Sequence, residues 1–356
     1  MKRPSRRTIV ILAVLALAGA TWTCSACSAA YVVRAGYEEA KILAARRPIA
    51  EVIAAPGTSP EAKRRLELVL TARDFAEHAL DLDAGDSYTT YTRLERDTLA
   101  MILSGARRDA FMPVTWWFPI VGSVPYKGYF SLDDVREAQR ELEEDGYDTF
   151  IRPTSAFSTL GWFNDPLLST VLRYPDVSLV STVIHEITHN SIYIPGQTGF
   201  NESFANFVGD RGAIALFCGM EGPDAERCHH AQDDWADNLA FGEYLTSLVT
   251  QLDSLYARED LTSEQKVALR EPIFEAARAR FRDEVLPAMR TDRFAGFERL
   301  PMNNATLLAR RLYYDRLDRF EAAFVRRGGD LRMTIHAIMD AAADATDDPW
   351  GALEGV

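Results

Sequence analysis

Basic residues are scarce in this sequence relative to acidic ones. Its 356 residues include 39 Lys and Arg against 52 Asp and Glu, which gives a formal net charge of −13 at pH 7. Binding to nucleic acid needs concentrated Lys and Arg, because the phosphates must be neutralised. The composition therefore argues against a nucleic-acid partner and is typical of an acidic, solvated surface.

Linkers and repeats are missing as well. No stretch rich in Pro, Gly and Ser divides the chain, and it contains no internal repeat or low-complexity tract. Apolar residues make up 47% of the sequence and charged residues 26%, which is ordinary for a folded protein. We therefore expect residues 28–356 to form a single domain.

The N-terminus carries no hydrophobic run long enough for a comfortable membrane span. The apolar run from Ile9 to Ala20 is about 12 residues, whereas a spanning helix needs ~20. Its length suits the hydrophobic region of an export signal. A basic head precedes it, formed by Lys2, Arg3, Arg6 and Arg7. We therefore expect residues 1–27 to be an export segment, with the protein in the periplasm or anchored in the cell envelope.

Two cysteines follow this apolar run. Bacterial lipoproteins are cleaved and acylated at a cysteine preceded by small residues, and Ser25-Ala26-Cys27 supplies that arrangement. Cys24, however, stands where an aliphatic residue is usual. Membrane attachment through a lipid on Cys27 is therefore one expectation. Cleavage without a lipid, and an uncleaved signal anchor, remain open.

The other two cysteines, Cys218 and Cys228, are close in sequence. In an oxidising compartment this spacing is compatible with a loop-closing disulfide. The alternative is a second metal site that adds His229 and His230. That spacing matches no common zinc motif, and adjacent histidines on a helix do not easily face one ion. The pattern favours a disulfide or free thiols.

Residues 28–110 have a helical pattern. Apolar residues recur at three-to-four spacing from Tyr31 to Ile53, and Pro60-Glu61 opens a second helix that runs through Leu80. We expect this segment to be a helical lead-in to the domain.

The residue composition after this segment changes and indicates a small sheet. Val114 to Gly122 and Tyr126 to Phe130 are aromatic and β-branched, and Gly122-Ser123 lies between them, so the pattern predicts a hairpin. Thr149 to Leu160 predicts another strand. Pro153 indicates that this strand lies at an edge, because proline cannot donate to a strand ladder.

Helices return after this sheet. Asp176 is the expected N-cap of a helix that runs through Asn190, and Phe200 to Phe217 is the next helix. Residues 111–217 thus combine the sheet with two helices, and residues 218–356 are expected to be helical. The predicted fold class is α+β, a small mixed or antiparallel sheet between mostly helical N- and C-terminal parts.

The first of these two helices carries a metal-binding pattern. His185-Glu186-Ile187-Thr188-His189 is an H-E-x-x-H motif. Residues four apart share one helix face, so both imidazoles can bind one ion. Glu186 is offset by one residue, which places its carboxylate beside a metal-bound water, where it can act as general base. Two core histidines on an amphipathic helix would be the structural alternative.

A third ligand is expected on the second helix. Catalytic zinc has three protein ligands and an open fourth position. Glu202 follows His189 after a turn from Tyr193 to Gly199, so a helical hairpin would bring it over the motif. Ala205 suits close packing of the two helices, and Asn206 is a candidate to accept a hydrogen bond from a ligand histidine. We expect one zinc ion per chain.

H-E-x-x-H followed by N-E-x-x-A resembles the gluzincin class of zinc peptidases. The wider chain resembles a bacterial family of predicted zinc aminopeptidases, often exported or lipid-anchored, with Cys27 where that family commonly has its lipid-bearing cysteine. The resemblance implies a zincin-like catalytic domain, zinc and peptide hydrolysis. It is carried by Gly36-Tyr37, Arg46 to Ile49, Phe118 to Gly122, Lys127 to Phe130, Ser158 to Phe163, Leu172 to Pro175, HEITH, FNESFA, Asn303 to Ala305 and Tyr313.

One pattern of the gluzincin aminopeptidases is missing. They bind the substrate's amino terminus with a G-x-M-E-N segment, and the nearest string here, Pro301-Met302-Asn303-Asn304, has no carboxylate. Aminopeptidase activity is the expectation, with a peptide as substrate. Zinc endopeptidase activity, hydrolysis of non-peptide amides and a non-catalytic zinc-containing scaffold of the envelope remain alternatives.

Peptide hydrolysis also needs a hydrogen-bond donor for the oxyanion. By resemblance the candidate is Tyr313, with Tyr314 and His336 as substitutes; a half-buried core tyrosine is the structural alternative. Asn303 and Asn304 are expected to cap the helix that carries Tyr313.

Substrate peptides often add a strand to a sheet edge. Thr154 to Ser158 is the candidate edge, and Ser158 to Trp162 would line the cleft entrance. A purely structural strand is the alternative.

Overall fold

The structure is a computed structural model that describes residues 29–95, 98–118, 122–154 and 165–356. Its strands are β1 (Arg47–Pro48), β2 (Thr90–Thr92), β3 (Ala100–Arg107), β4 (Trp116–Phe118), β5 (Gly122–Val124), β6 (Lys127–Tyr129), β7 (Tyr147–Thr154) and β8 (Leu167–Leu168). Its α-helices are α1 (Ala29–Ala44), α2 (Ile49–Ala54), α3 (Pro60–His78), α4 (Leu132–Glu144), α5 (Asp176–Ser191), α6 (Thr198–Glu221), α7 (Glu226–Tyr256), α8 (Ser263–Arg280), α9 (Leu286–Ala288), α10 (Asn304–Tyr314), α11 (Leu317–Arg326), α12 (Leu331–Asp344) and α13 (Pro349–Ala352).

The larger hydrophobic core surrounds α5 and α6, which pack along each other and against α3. Three phenylalanines of α6, at three-to-four spacing, face this core, and the ring of Phe320 from α11 contacts all of them. Its centroid lies 5.8, 5.6 and 5.6 Å from those of Phe200, Phe204 and Phe207. Aromatic contacts of this kind add to the stabilisation from apolar burial. They fix the rotation of α6 about its axis.

A second core lies farther along α7. Phe241 packs on Phe294 with ring centroids 4.1 Å apart and on Phe297 at 4.9 Å. Tyr244 and Phe281 complete the same cluster. The chain from residue 226 onward forms helices only, as the sequence pattern indicates.

The main sheet has the order β6-β3-β7 and is antiparallel throughout. Alternate residues of a strand face opposite sides. Ala106 of β3 packs with Phe150 of β7 and with Ala305 and Ala309 of α10, whereas Gly105 faces Leu142 of α4. The sheet therefore lies between α4 and α10. In the described part of the chain β7 is an edge strand, which agrees with Pro153 at that position.

Two smaller sheets complete the strands. In one, β2 pairs with β1 antiparallel and with β8 parallel. In the other, β4 pairs with β5, with Phe118 opposite Gly122. The predicted hairpin, which paired Val114 to Gly122 with Tyr126 to Phe130, was therefore wrong. Gly122 and Ser123 lie in β5, and β6 pairs with β3 instead.

The segment over residues 28–110 is less helical than its pattern indicates, because it also contains β2 and β3. Helices α4 and α10 cover the two faces of β3, so this strand does not alternate between apolar and polar residues. A short apolar run of this kind cannot be told from a buried helix by periodicity. The expected helix from Tyr31 to Ile53 is likewise divided into α1, β1 and α2.

The described residues include no helix that is both long and apolar enough to cross a bilayer. The expected export segment, residues 1–27 with Cys24 and Cys27, lies outside the described residues. So do residues 155–164, which include most of the candidate edge from Thr154 to Ser158 and the expected cleft entrance.

Candidate metal centre

Helix α5 presents the H-E-x-x-H motif from within the core. A stripe of apolar residues, including Val177, Val180, Ile184 and Ile187, is buried along it. Pro175 is the residue before the helix, and its fixed φ suits this position. Asp176 is the first helical residue, one position later than expected for the N-cap. Its carboxylate forms ion pairs with Arg64 at 2.7 Å and Arg227 at 3.0 Å.

A short turn reverses the chain between α5 and α6. Gly196 has φ +82°, a left-handed conformation that glycine adopts without steric cost. The buried side chain of Asn201 clamps this turn. Its Nδ2 donates to the carbonyl of Ile194 at 2.8 Å, and its Oδ1 accepts from the amide of Ile194 at 3.0 Å. The turn therefore holds the start of α6, and with it Glu202, over the motif.

Two glycines allow α5 and α6 to approach each other closely. A Cβ built on Gly209 would lie 2.5 Å from the carbonyl oxygen of Ser181 and 3.2 Å from Cβ of His185. A Cβ on Gly212 would lie 2.9 Å from Ile184. Ala205, expected from the sequence to allow this packing, is buried nearby. The positions where α5 leaves no room for a Cβ are Gly209 and Gly212, one and two helical turns after Ala205.

His185, His189 and Glu202 converge on one point. Nε2 of His185 lies 3.3 Å from Nε2 of His189 and 3.3 Å from Oε2 of Glu202, and Nε2 of His189 lies 3.7 Å from that same oxygen. Four ligands at tetrahedral positions around zinc are about 3.3–3.5 Å apart, given its usual bond lengths. The three side chains therefore fit one tetrahedral ion with a fourth position open.

The three residues are shielded from solvent, with side chains of His185 and Glu202 only 10% and 14% exposed. Burial opposes the charge on Glu202, but hydrogen bonds from both histidines lower the pKa of its carboxyl well below the usual value. Burial also opposes protonation of His185, yet the carboxylates of Glu202 and Glu186 raise its pKa overall. A buried group of two imidazoles and a carboxylate is therefore consistent with a metal site.

Glu186 is half-buried beside this group without belonging to it. Burial raises the pKa of its carboxyl, the two histidines lower it, and Glu202 and Asp165 raise it further. The net direction is upward. The offset of one residue along the helix thus leaves a carboxylate next to the ion site with a proton affinity above that of an ordinary glutamate.

Tyr313, the candidate oxyanion donor by resemblance, lies next to His185 of the candidate ion site. Its ring is stacked near that of His185, with centroids 6.3 Å apart. Its hydroxyl accepts a hydrogen bond from Nη2 of Arg152 at 3.0 Å. Burial raises the pKa of Tyr313 to about 12, although Arg152 opposes the shift. The phenol is therefore protonated at neutral pH and able to donate.

The two substitutes lie elsewhere. Tyr314 packs in the second core, with ring centroids 5.1 Å from Phe241 and 5.5 Å from Phe294. His336 on α12 lies beside Asp81, with Nε2 3.5 Å from the carboxylate. Neither is among the groups around the ion site, so Tyr313 is the candidate of the three that the fold places there.

Asn303 caps α10, as expected, because its Oδ1 accepts from the amide of Thr306 at 2.9 Å. Asn304 is buried. Its side chain accepts from the hydroxyl of Tyr256 at 2.9 Å and donates to the carbonyl of Arg107 at 2.9 Å. Both asparagines therefore act on the structure around α10.

Several residues near the site carry no motif that would have identified them. Arg152 comes from β7 and reaches Tyr313. Asp210, two turns after Glu202 on α6, accepts from Ser181 at 2.5 Å and from Asn238 at 2.6 Å, and its charge helps to raise the pKa of His185. Asp210 could have been found from the sequence, because it lies two helical turns after Glu202 on α6. Arg152 could not, because its partner Tyr313 is distant in sequence.

Asn206 does not have the partner expected for it. It was considered an acceptor for a ligand histidine, but its Nδ2 donates to the carbonyl of Tyr313 at 2.8 Å. Ser203 donates to the carbonyl of Leu312 at 3.0 Å in the same way. These bonds hold α10 against α6, because side chains of α6 donate to backbone carbonyls in the last turn of α10.

Cys218 and Cys228 form a disulfide that joins the end of α6 to the start of α7. The pairing removes the alternative in which both thiols join His229 and His230 around a second metal ion. Both histidines are exposed.

The comparison with protein families gives one match. The model of a family described as putative aminopeptidase matches residues 30–348, nearly the whole chain. No curated protein and no solved structure gives a significant match. The family expected from the sequence motifs is therefore confirmed. The α+β class agrees with the structure, and the gluzincin-like fold stays a prediction.

Proposed function

The chain belongs to the putative aminopeptidase family, and from this premise we propose that it is a zinc-dependent aminopeptidase. The observation that carries the proposal is the convergence of His185, His189 and Glu202 at separations of 3.3, 3.3 and 3.7 Å, with Glu186 beside them. Two imidazoles, one carboxylate and an open position are the ligand set of catalytic zinc. We expect one ion per chain.

Zinc, when bound, supplies Lewis acidity and lowers the pKa of water to about 7. The chain itself supplies the proton transfers. Glu186 takes a proton from the attacking water as the new C–O bond forms. It then delivers a proton to the amine nitrogen as the peptide C–N bond breaks. Its position suits this role, because it is half-buried on the same helix as the two histidines and is not one of the proposed ligands.

Tyr313 is the proposed oxyanion donor. Its hydroxyl keeps its proton at neutral pH, and Arg152 binds the lone pairs of the hydroxyl oxygen, which leaves the O–H free to turn toward substrate. The positively charged donor also increases the acidity of that O–H. Hydrogen bonds of this kind stabilise the charge that develops on the carbonyl oxygen.

We also propose that the protein works outside the cytoplasm. The apolar run and basic head of residues 1–27 support this, and so does the Cys218–Cys228 disulfide, because such bonds persist in oxidising compartments. Attachment would be through a lipid on Cys27 or a retained signal anchor. Cell fractionation with palmitate-analogue labelling of wild type and Cys27→Ser tests the attachment; unchanged fractionation without label would contradict a lipid.

The activity is tested with a panel of peptides on protein of measured zinc content. Aminoacyl fluorogenic substrates, their N-acetylated forms and internally quenched peptides are assayed with and without a chelator. An aminopeptidase cleaves only substrates with a free amino terminus, loses activity with the chelator and regains it with zinc. Cleavage of the N-acetylated and quenched peptides would identify an endopeptidase. No cleavage at full zinc occupancy would contradict the proposed enzyme.

A further inference from the structure

Two arginines flank Tyr313 on the side where the sheet meets α10. The guanidinium of Arg152 lies 5.4 Å from the centre of the Tyr313 ring in addition to its hydrogen bond with the hydroxyl. Arg310 precedes Tyr313 by three residues on α10, so the two share a helix face. The guanidinium of Arg310 lies 5.8 Å from the ring of Phe150, which is two residues before Arg152 and on the same face of β7.

Neither arginine has a carboxylate partner among the described residues. In the part of the chain that the structure describes, no acidic oxygen lies within 4 Å of either guanidinium, and the Nε atoms of both are buried without a hydrogen-bond partner. Two other arginines of the same region do have carboxylate partners: Arg311 pairs with Asp315 at 3.1 Å, and Arg270 pairs with Asp148 at 2.6 Å.

The like charges of these two arginines oppose each other. Burial is the main reason that the pKa of Arg310 is lowered, and the neighbouring charge of Arg152 lowers it further. Charges removed from water are stable only when paired and hydrogen-bonded. A guanidinium presents its N–H groups in a planar fork that suits an anion with a two-oxygen head. An anion bound by both arginines would offset their mutual repulsion.

We propose that Arg152 and Arg310 bind a carboxylate of the peptide substrate beside the metal centre. This inference rests on the proposed peptidase function and names its substrate class: short peptides with a carboxylate close to the bond that is cleaved. The carboxylate is either the C-terminal group or an Asp or Glu side chain.

The geometry sets how close that carboxylate must be. Arg152 contacts Tyr313, whose ring is 6.3 Å from that of His185, so the guanidinium lies at most about 12 Å from the ion-binding histidine. An extended peptide spans ~3.3–3.6 Å per residue. The carboxylate therefore belongs to a residue about one to three positions beyond the scissile bond. The charge of Glu202, a proposed metal ligand, also raises the pKa of Arg152. Arg152 is therefore close enough to the ion site to interact with it electrostatically.

Matched peptides test the proposal by turnover. Short peptides are compared with their C-terminal amides, and peptide amides containing Glu with those containing Gln. Hydrogen bonds to charged groups contribute about 1.5–3 kcal/mol, so wild type should prefer the carboxylate form by roughly 10–100-fold in kcat/KM. The first pair of substrates reports a C-terminal carboxylate and the second a side-chain carboxylate. Arg310→Met should bring the preference close to 1.

Arg311→Met is the matched control, because Arg311 is the next residue on α10 and is paired with Asp315. It should keep the wild-type preference. Arg310→Lys retains the charge and loses the two-pronged geometry, so an intermediate preference is expected. Zinc content and circular dichroism of each variant report whether it has folded. Equal preferences in Arg310→Met and Arg311→Met would overturn the proposal.

A binding measurement separates this inference from the proposed function. Trialanine, which has a free amino terminus, and its C-terminal amide are titrated calorimetrically into full-length Glu186→Gln, in which hydrolysis is strongly slowed. The carboxylate form should bind at least about 10-fold more tightly, and Arg310→Met in the same background should remove the difference. Equal affinity for the two forms would overturn the carboxylate site even if wild type is a peptidase. A preserved difference would support it even if wild type cleaves no peptide.

Discussion

The side-chain amide of Asn206 donates a hydrogen bond to the backbone carbonyl of Tyr313 across 2.8 Å. Asn206 lies one helical turn after Glu202, so this bond links the helix of a proposed metal ligand directly to the residue that is the proposed oxyanion donor. The position of Tyr313 relative to the ion site is therefore set by α6 itself. The sequence had instead suggested that Asn206 accepts a hydrogen bond from a ligand histidine.

Asn206→Asp removes this donor with little change of shape. A carboxylate would face a carbonyl, so we expect the free energy of unfolding to fall by about 1–3 kcal/mol, and kcat to fall because Tyr313 shifts. Zinc content should remain at one per chain. For comparison, Tyr313→Phe keeps the backbone bond and should lower kcat by about 10²–10³, the effect of one oxyanion donor. Wild-type kcat in Asn206→Asp would show that the bond does not position Tyr313.

The candidate metal centre is the part of the molecule that local sequence specifies most directly. His185 and His189 are four residues apart on one helix, so their convergence follows from helical geometry alone. Glu202 required one more step, a turn short enough to return the chain, and Gly196 and Asn201 provide it. Both steps involve neighbours in sequence.

Contacts between distant segments could not be predicted in this way. Arg152 reaches Tyr313 across 161 positions of sequence, and neither residue carries a local pattern that names its partner. β3 was interpreted as helical because its two covered faces remove the alternation that marks a strand. In each case the missing information was which segments lie side by side, and periodicity contains none of it.

Removal of metal ligands is the direct test of the ion site. His185→Ala or Glu202→Ala should lose zinc, since three protein ligands are the usual complement of a catalytic site. His229→Ala, an exposed histidine on α7, is the matched control and should retain one zinc per chain. Elemental analysis of the purified variants measures this. Chelation should also lower the Tm of wild type, because an ion bound only to the native state stabilises it. Full zinc occupancy in both ligand variants would contradict the assignment.

Because α5 and α6 are in close contact, we expect Gly209→Ala to weaken zinc binding although Gly209 is not itself a proposed ligand. Its Cβ would lie 2.5 Å from the backbone oxygen of Ser181 and 3.2 Å from His185, so one helix must move. Overpacking of this kind costs about 1–3 kcal/mol, and zinc affinity should fall with it.

Gly219→Ala in the same helix is the control. Nothing lies within 4 Å of the added Cβ, so the better helix former should leave Tm unchanged or slightly higher. Thermal melts and zinc competition with a chromophoric chelator measure both effects. Equal behaviour of the two variants would mean that the helix contact does not control the site.

Glu39 on α1 predicts a pH dependence that is separate from the metal centre. Burial, and next the charge of Asp165, raise the pKa of its carboxyl from 4.5 to about 7. As pH rises through this window the unfolded chain loses the proton first, so the native state loses stability between pH 4.5 and about 7. Glu39→Gln removes the ionisation. The Tm of the variant relative to wild type should therefore increase from pH 4.5 to pH 8.

The control for this series is Glu51→Gln, an exposed glutamate in the first turn of α2, which should follow wild type at both pH values. A Tm difference between Glu39→Gln and wild type that is independent of pH would show that Glu39 is not responsible.

Glu186→Gln separates an enzyme from a zinc-holding scaffold. Glutamine keeps the size and the hydrogen-bonding reach of glutamate but cannot accept the proton from water or pass it to the leaving amine. Glu186 is not a member of the ligand group, so zinc content and Tm should change little. General-base catalysis contributes about 10²–10⁴-fold, and kcat on the best peptide should fall by at least that range.

The matched control is Glu243→Gln, an exposed glutamate on α7, which should keep wild-type kcat. Turnover and zinc are measured on the same samples, so that a loss of metal is not mistaken for a loss of the base. A structural zinc site needs no carboxylate one residue after a ligand, so the half-buried carboxylate of Glu186 at this position favours a role in proton transfer. Wild-type turnover in Glu186→Gln would therefore exclude the mechanism, because no other carboxylate of α5 lies beside the ion site.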